Sequence, residues 1–156
     1  MVFPQRCRLV TVKKPQLLRR DFSCYHRGME KNFDRWNEKK KKLDAVERHP
    51  SYASEREIWW CSLGVNIGRE QNGQGDSFER PVVILKALSP DTFMALPLST
   101  KKRVERFQSV ITHGSMRGFA LLDQVRVLDT KRLRRKIGTA DQCEFAIIKE
   151  KLKGIF

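Results

Sequence analysis

The sequence predicts a mainly β fold with α: a small, strongly bent antiparallel β-barrel, preceded by an amphipathic helix and closed by a second helix at the C-terminus. Three observations predict it. From Glu57 onward, short runs rich in β-branched, aromatic and aliphatic residues follow one another with no helical pattern between them. The segments that join them are polar and include a glycine-containing stretch too long for a tight hairpin. Apolar residues recur at helical spacing only ahead of this region and after it.

Residues 1–28, "MVFPQRCRLVTVKKPQLLRRDFSCYHRG", carry Pro4 and Pro15 in a basic background with no sustained period. They read as a basic tail of little order, with the natural start of the protein expected near Met29. In residues 29–49, Phe33, Trp36 and Leu43 fall at helical spacing, with Lys39 to Lys42 largely on the other side. This is one amphipathic helix, ended before Pro50, and the lysine run reads as its solvated face.

Residues 56–156 form the barrel domain. "IWWCSL" (58–63) is the first strand; "PVVILKAL" and "TFMALPLS" flank the turn Ser89-Pro90-Asp91 as a hairpin. "FQSVIT" and "GFALLDQVRVLD" follow across "HGSMRG", giving five strands, with His113 in the turn and facing solvent. In the last helix Thr139 and Gln142 read as a capping box with Asp141 in the first turn. Phe145, Ile148, Leu152 and Ile155 are its apolar stripe.

The chain has 156 residues, 32 Lys+Arg against 18 Asp+Glu, and a net charge of +14. That surplus attracts phosphate polyanions and acidic partners. It is spread as +6 over residues 1–28 (seven basic, one acidic), +1 over 29–57 (eight and seven) and +7 over 58–156 (seventeen and ten). Cys7, Cys24, Cys61 and Cys143 lack the spacing of a metal site, and His26, His49 and His113 do not complete one, so free thiols and no metal are expected. There is no apolar secretion segment and no membrane-spanning run, and a cytoplasmic protein is the reading.

The stretch "GREQNGQGDSFERPVVIL" (68–85) sets a long polar loop against the start of an apolar strand, with Arg80 at the join. A guanidinium there, aimed by the strand and Pro81, could hold a phosphate through paired charge-assisted hydrogen bonds, or could form a structural salt bridge with Glu70, Glu79 or Asp123. Phe78 could stack a base or pin the loop to the barrel. Asp123, after a run of apolar residues, could be a buried acid tied to backbone amides.

Taken together and in order, "GREQ", "ERPVVIL", "LPLST" and "LLDQVRVLD" resemble the MazF/PemK family of toxin endoribonucleases from about Glu57 to the C-terminus. The resemblance implies an SH3-like barrel acting as a homodimer in a toxin-antitoxin pair. It further implies cleavage of single-stranded RNA without metal or cofactor, giving 2′,3′-cyclic phosphate and 5′-hydroxyl ends, and inhibition by an acidic antitoxin protein with which DNA is bound. By position, the resemblance assigns Arg80, Ser99, Asp123 and Glu70 to catalysis. Arg69, Gln71, Phe78, Thr100, Gln124 and Arg126 are the expected substrate-binding residues.

The chemistry suits such residues, because cleavage by the RNA's own 2′-hydroxyl needs a base, stabilisation of a dianionic phosphorane and a proton for the leaving 5′-oxygen. Arg80 answers the second need, Ser99 or Thr100 supplies a hydroxyl, and the base is Glu70 or Asp123. The competing reading is a non-catalytic SH3-like barrel that binds RNA or a protein partner.

Overall fold

A computed structural model describes residues 31–47 and 53–155. The expected tail, the start near Met29, Cys7, Cys24 and Pro50 lie outside the described residues.

The first helix, α1 (Phe33–Ala45), starts at Asn32, whose side chain accepts from the Arg35 amide at 2.9 Å, and it contains no Gly, Pro or β-branched residue. Trp36 and Leu43, seven residues apart, lie within about 20° of each other around the helix, and both are buried. Phe33, about 60° round the axis from Trp36, is instead 47% exposed.

Seven strands follow among the described residues: β1 (Glu57–Ser62), β2 (Glu79–Ala87), β3 (Thr92–Ser99), β4 (Gln108–His113), β5 (Met116–Leu121), β6 (Arg126–Asp129) and β7 (Leu133–Thr139). The ladder runs β4-β5-β3-β2-β1-β7, all antiparallel, with β6 also on β3. β3 is the corner strand: Thr92 to Ala95 pair with β6, whereas Leu98 and Ser99 pair with β5. The outer strands β4 and β7 share no ladder, so the barrel is open there. His113 bridges that opening. It is half-buried, and a Cβ on Gly138 of β7 would fall 2.0 Å from its ring. The expected solvent-facing histidine is therefore packed on β7, in the space that glycine leaves.

Both faces of the central strands are buried, which explains their uninterrupted apolar runs. Val83, Leu85 and Leu96 point to a core completed by Ile111, Leu122, Phe145 and Ile148, while Val82, Ile84, Phe93 and Ala95 point to a second with Cys61, Leu63 and Leu133. Burial lifts the Cys61 thiol pKa to about 12, so it behaves as a small apolar side chain.

Two expectations are corrected. The segment 118–129 is not one strand: a 3-10 turn, Leu122–Gln124, divides β5 from β6. Asp141, not Thr139, caps the last helix, α2 (Gln142–Lys153), accepting from the amides of Cys143 (2.8 Å) and Glu144 (3.1 Å). Thr139 is committed to the ladder opposite Glu57.

The amides of Glu144 and Cys143 hold the Asp141 carboxyl below its ordinary pKa of 3.8. A depressed folded-state value means that the cap's stabilisation is present above that ordinary value and is lost as pH falls through the folded one. Asp141→Ala is expected to melt below the native protein at pH 7, with the gap narrowing as pH drops below 3.8. Asp141→Asn, a cap that does not titrate, should keep the pH 7 melting point. Thermal melts from neutral pH into acid check both.

Candidate active site

Arg80 is the second residue of β2, opposite Cys61 of β1. The β2–β3 register pairs Val82 with Pro97. Carried two residues further, that register sets Ser99 opposite Arg80 on the same face. Only 6% of Arg80 is exposed. Its Nε donates to the Asn72 carbonyl at 2.5 Å and its Nη1 to the Leu98 carbonyl at 2.9 Å. Among the described residues no carboxylate lies within ion-pair distance of it, so the structural salt bridge with Glu70, Glu79 or Asp123 does not form. Nη2 has no hydrogen-bond partner among the described residues, and it is not sealed from solvent. The site thus presents a fixed guanidinium edge with donors to spare.

Burial and the charge of Arg103 lower the Arg80 pKa from its ordinary value. The second cation went unnoticed in the sequence, inside "KKRVER" between β3 and β4. The arrangement around it is specific. Gln108, 3% exposed, accepts from the Arg103 amide and donates to the Arg103 carbonyl, each at 2.7 Å. Arg103 Nη2 in turn donates to Gln71 Oε1 at 2.9 Å. A glutamine at the head of the otherwise apolar run "FQSVIT" was the available signal.

The loop of residues 64–78 is bonded to itself rather than loosely draped. The Gly73 amide donates to the Gly64 carbonyl (2.8 Å), the Gly64 amide to the Phe78 carbonyl (3.1 Å), and Asn66 Nδ2 to the Gln71 carbonyl (2.9 Å). A Cβ on Gly73 would overlap the Phe78 carbonyl at 1.8 Å, so only glycine fits. The Gln71 amide donates to Gln124 Oε1 at 3.0 Å, tying the loop to the 3-10 turn. Phe78 is buried against Trp36, with ring centroids 5.6 Å apart, which is the loop-pinning role and not the base-stacking one. Its φ of 52° is a left-handed conformation that costs a bulky residue of the order of 1–3 kcal/mol unless its surroundings enforce it.

Glu70 and Asp123 are both exposed and, with Gln124 and Arg126, line an open cleft of about 510 Å³. Asp123 is thus on the surface of the 3-10 turn and not a buried acid. Burial lowers the Arg126 pKa, and the charge of Glu70 opposes that shift. Ser99 is half-buried, its Oγ accepting from the Lys101 amide at 3.1 Å, while Arg69 and Thr100 are exposed. Arg80, Ser99, Gln71 and Arg103 therefore meet at one end of β3, and Gln71 and Gln124 connect them to the carboxylate cleft. Among the described residues no group of three or more His, Cys, Asp or Glu converges as metal ligands, and no helix is long and apolar enough to cross a membrane.

Residues 54–156 match the model of the PemK-like, MazF-like toxin of type II toxin-antitoxin systems. The chain belongs to the PemK/MazF toxin family. Members of this toxin family are ribonucleases. No curated protein matches it. Among solved structures it is similar to MazF from Deinococcus radiodurans, at 22% identity and a TM-score of 0.55 over 67% of this chain and 97% of that one. It is also similar to an endoribonuclease from a mycobacterial species (15%, TM-score 0.51, 68% and 93%) and to MazE-MazF from Deinococcus radiodurans (18%, TM-score 0.50, 67% and 96%). At these identities the likeness concerns the fold, and it extends over nearly all of each solved chain. The expected SH3-like family fold is present, as an antiparallel sheet with a helix toward each end. The helix α1 precedes the family-matched residues.

Replacing Gln108 by alanine removes both of its part-buried bonds to the Arg103 backbone. The expected cost is about 1–3 kcal/mol in urea unfolding. A loss below about 0.5 kcal/mol, the range of an ordinary surface substitution, would contradict the clamp.

Proposed function

We propose that this chain is a metal-independent endoribonuclease that cuts single-stranded RNA at Arg80, leaving 2′,3′-cyclic phosphate and 5′-hydroxyl ends. The observation that carries the reading is a buried guanidinium held by two backbone carbonyls, with no carboxylate among the described residues to neutralise it. Such a charge binds an incoming anion strongly, because the protein has already met its desolvation cost and fixed its direction. Arg103 adds a second cation to the same place, and the pair does the charge stabilisation that a metal would otherwise supply.

In this mechanism Arg80 Nη1 and Nη2 receive the non-bridging phosphate oxygens as negative charge builds on the phosphorane. The hydroxyl of Ser99 orients the phosphate or the attacking 2′-oxygen. A carboxylate of the cleft, Glu70 or Asp123, takes the 2′-proton. The lowered pKa of Arg80 makes its guanidinium a better acid toward the departing 5′-oxygen than an exposed arginine. Gln71, Gln124 and Arg126 line the path of the strand, together with Arg69 and Thr100.

The family places the chain as the toxin of a toxin-antitoxin pair, and its proposed partner is an acidic antitoxin segment that occupies the phosphate contacts and competes with RNA. Exposed Ile67, Val104 and Val127, close in sequence to Arg69, Arg103 and Arg126, supply apolar contacts for that segment or for the second subunit of a homodimer.

The test is a cleavage assay on single-stranded RNA in EDTA. Arg80→Ala is expected to raise the activation free energy by about 3 kcal/mol or more, and Arg80→Lys should recover little, because lysine cannot reach Asn72 and Leu98 together. Glu70→Gln and Asp123→Asn identify the base by which one abolishes turnover. Arg103→Ala should reduce the slope of log affinity against log salt by about 0.7, one phosphate contact on a single strand. Full activity of Arg80→Ala, a strict need for added magnesium, or RNA binding without cutting would overturn the reading.

A further inference from the structure

The helix α1 lies outside the family-matched residues, yet it packs on the loop that holds Arg80. Trp36 covers Gly64 so closely that a Cβ there would fall 2.1 Å from the indole, and its ring packs at a tilt against that of Phe78, two residues before Arg80. Arg132 of the β6–β7 turn lies 5.6 Å over the Trp36 ring while its Nη1 holds the Ser62 carbonyl at 2.9 Å. Around this centre Arg35 pairs with Asp76 at 2.6 Å, and Lys39 donates to the Ser77 carbonyl and lies 3.6 Å from Glu79. Lys39 thus grips the loop instead of joining the solvated face with Lys40 to Lys42.

We propose that α1 is a built-in positioning device for the cleavage site, with Trp36 as its positioning residue. Exposed ion pairs contribute little to stability and do not explain why a helix should be fastened to a polar loop. What the contacts do is enforce geometry. Phe78 stays in its left-handed conformation because its ring is clamped by Trp36 and its carbonyl is held by Gly64, and both ends of loop 64–78 are thereby closed. Closure puts the Asn72 carbonyl on Arg80 Nε and Gln71 within reach of Arg103. Without the indole, Phe78 can relax to an ordinary backbone, the Asn72 carbonyl withdraws, and Arg80 keeps only its bond to Leu98. The contacts of Trp36 with Phe78 and Gly64 place its effect on Arg80 through the loop. The inference rests on the ribonuclease reading for its activity readout, and a second readout is independent of that reading.

The experiment uses the full chain carrying Trp36→Ala, Trp36→Leu or Trp36→Phe, each first shown to melt cooperatively well above the assay temperature. In nitrogen-15 NMR, the Arg80 Nε–H signal, identified by its loss in Arg80→Lys, should exchange slowly in the native protein. It should exchange at least about tenfold faster in Trp36→Ala and Trp36→Leu. In RNA cleavage the same two variants should lose about tenfold or more in kcat with KM changed far less, the signature of misplaced catalytic geometry. Trp36→Phe, which keeps a ring on Phe78, should recover most of both. Should Trp36→Ala not fold, Trp36→Leu, which keeps a bulky apolar side chain there without the ring contact, carries the test. Slow Nε–H exchange and native kcat in a folded Trp36→Leu protein would overturn the proposal. If the native chain cuts no RNA, the ribonuclease reading fails while the exchange comparison still decides this one.

Discussion

A buried arginine that no carboxylate among the described residues neutralises is the constraint on which the rest of this structure depends. Taking a guanidinium out of water is costly, and the usual remedy is an ion pair. Here Arg80 has two carbonyl oxygens, from Asn72 and Leu98, and a like charge nearby in Arg103. The carbonyls must therefore be held rigidly, since among the described residues nothing else compensates the charge. Leu98 is held by its place on the corner strand, where β3 turns from β6 to β5. Asn72 has no strand to hold it. Its position comes from the hydrogen bonds that close loop 64–78, from glycines at the two close approaches, and from α1 packed outside.

The same constraint explains where strain and charge collect. Phe78 takes an unfavourable backbone conformation immediately ahead of the strand that aims Arg80, and a buried glutamine is spent on fixing the backbone of Arg103. The Phe78 conformation weakens the fold locally and would not persist in a barrel that only had to be stable. The site adjoins a cleft whose carboxylates, Glu70 and Asp123, remain exposed. In the proposed mechanism the uncompensated cations bind the phosphate, and the separate carboxylates are the groups that accept a proton.

Much of the fold was legible because central strands buried on both faces leave continuous apolar runs, as in "PVVIL" and "TFMALPL". β7 was not, because "LRRKIGT" shields an open sheet edge with Arg134, Arg135 and Lys136 and so resembles a solvated segment. The break between β5 and β6 has no Gly or Pro to announce it; Leu122–Gln124 turns while keeping Leu122 in the core. Of the site, Arg80, Ser99, Glu70, Gln71, Asp123 and Gln124 were named from the sequence, and they gather at the end of β3 and the adjoining cleft. Arg103 was hidden because its importance lies in a contact with Gln71, 32 residues away. The role of Phe78 was undecidable for the same reason, since only the fold shows that Trp36 is waiting for its ring.

The central claim is that Arg80 stands ready, already oriented and uncompensated, for a phosphate. The most direct measurement is a crystal structure of the chain with a single-stranded RNA whose attacking 2′-hydroxyl is replaced by hydrogen, so that it binds uncut. The account predicts a non-bridging phosphate oxygen at about 2.7–2.9 Å from Arg80 Nη2, with the bonds to Asn72 and Leu98 unchanged. A phosphate seated elsewhere, or an Arg80 side chain swung out to pair with Glu70 or Asp123, would contradict it.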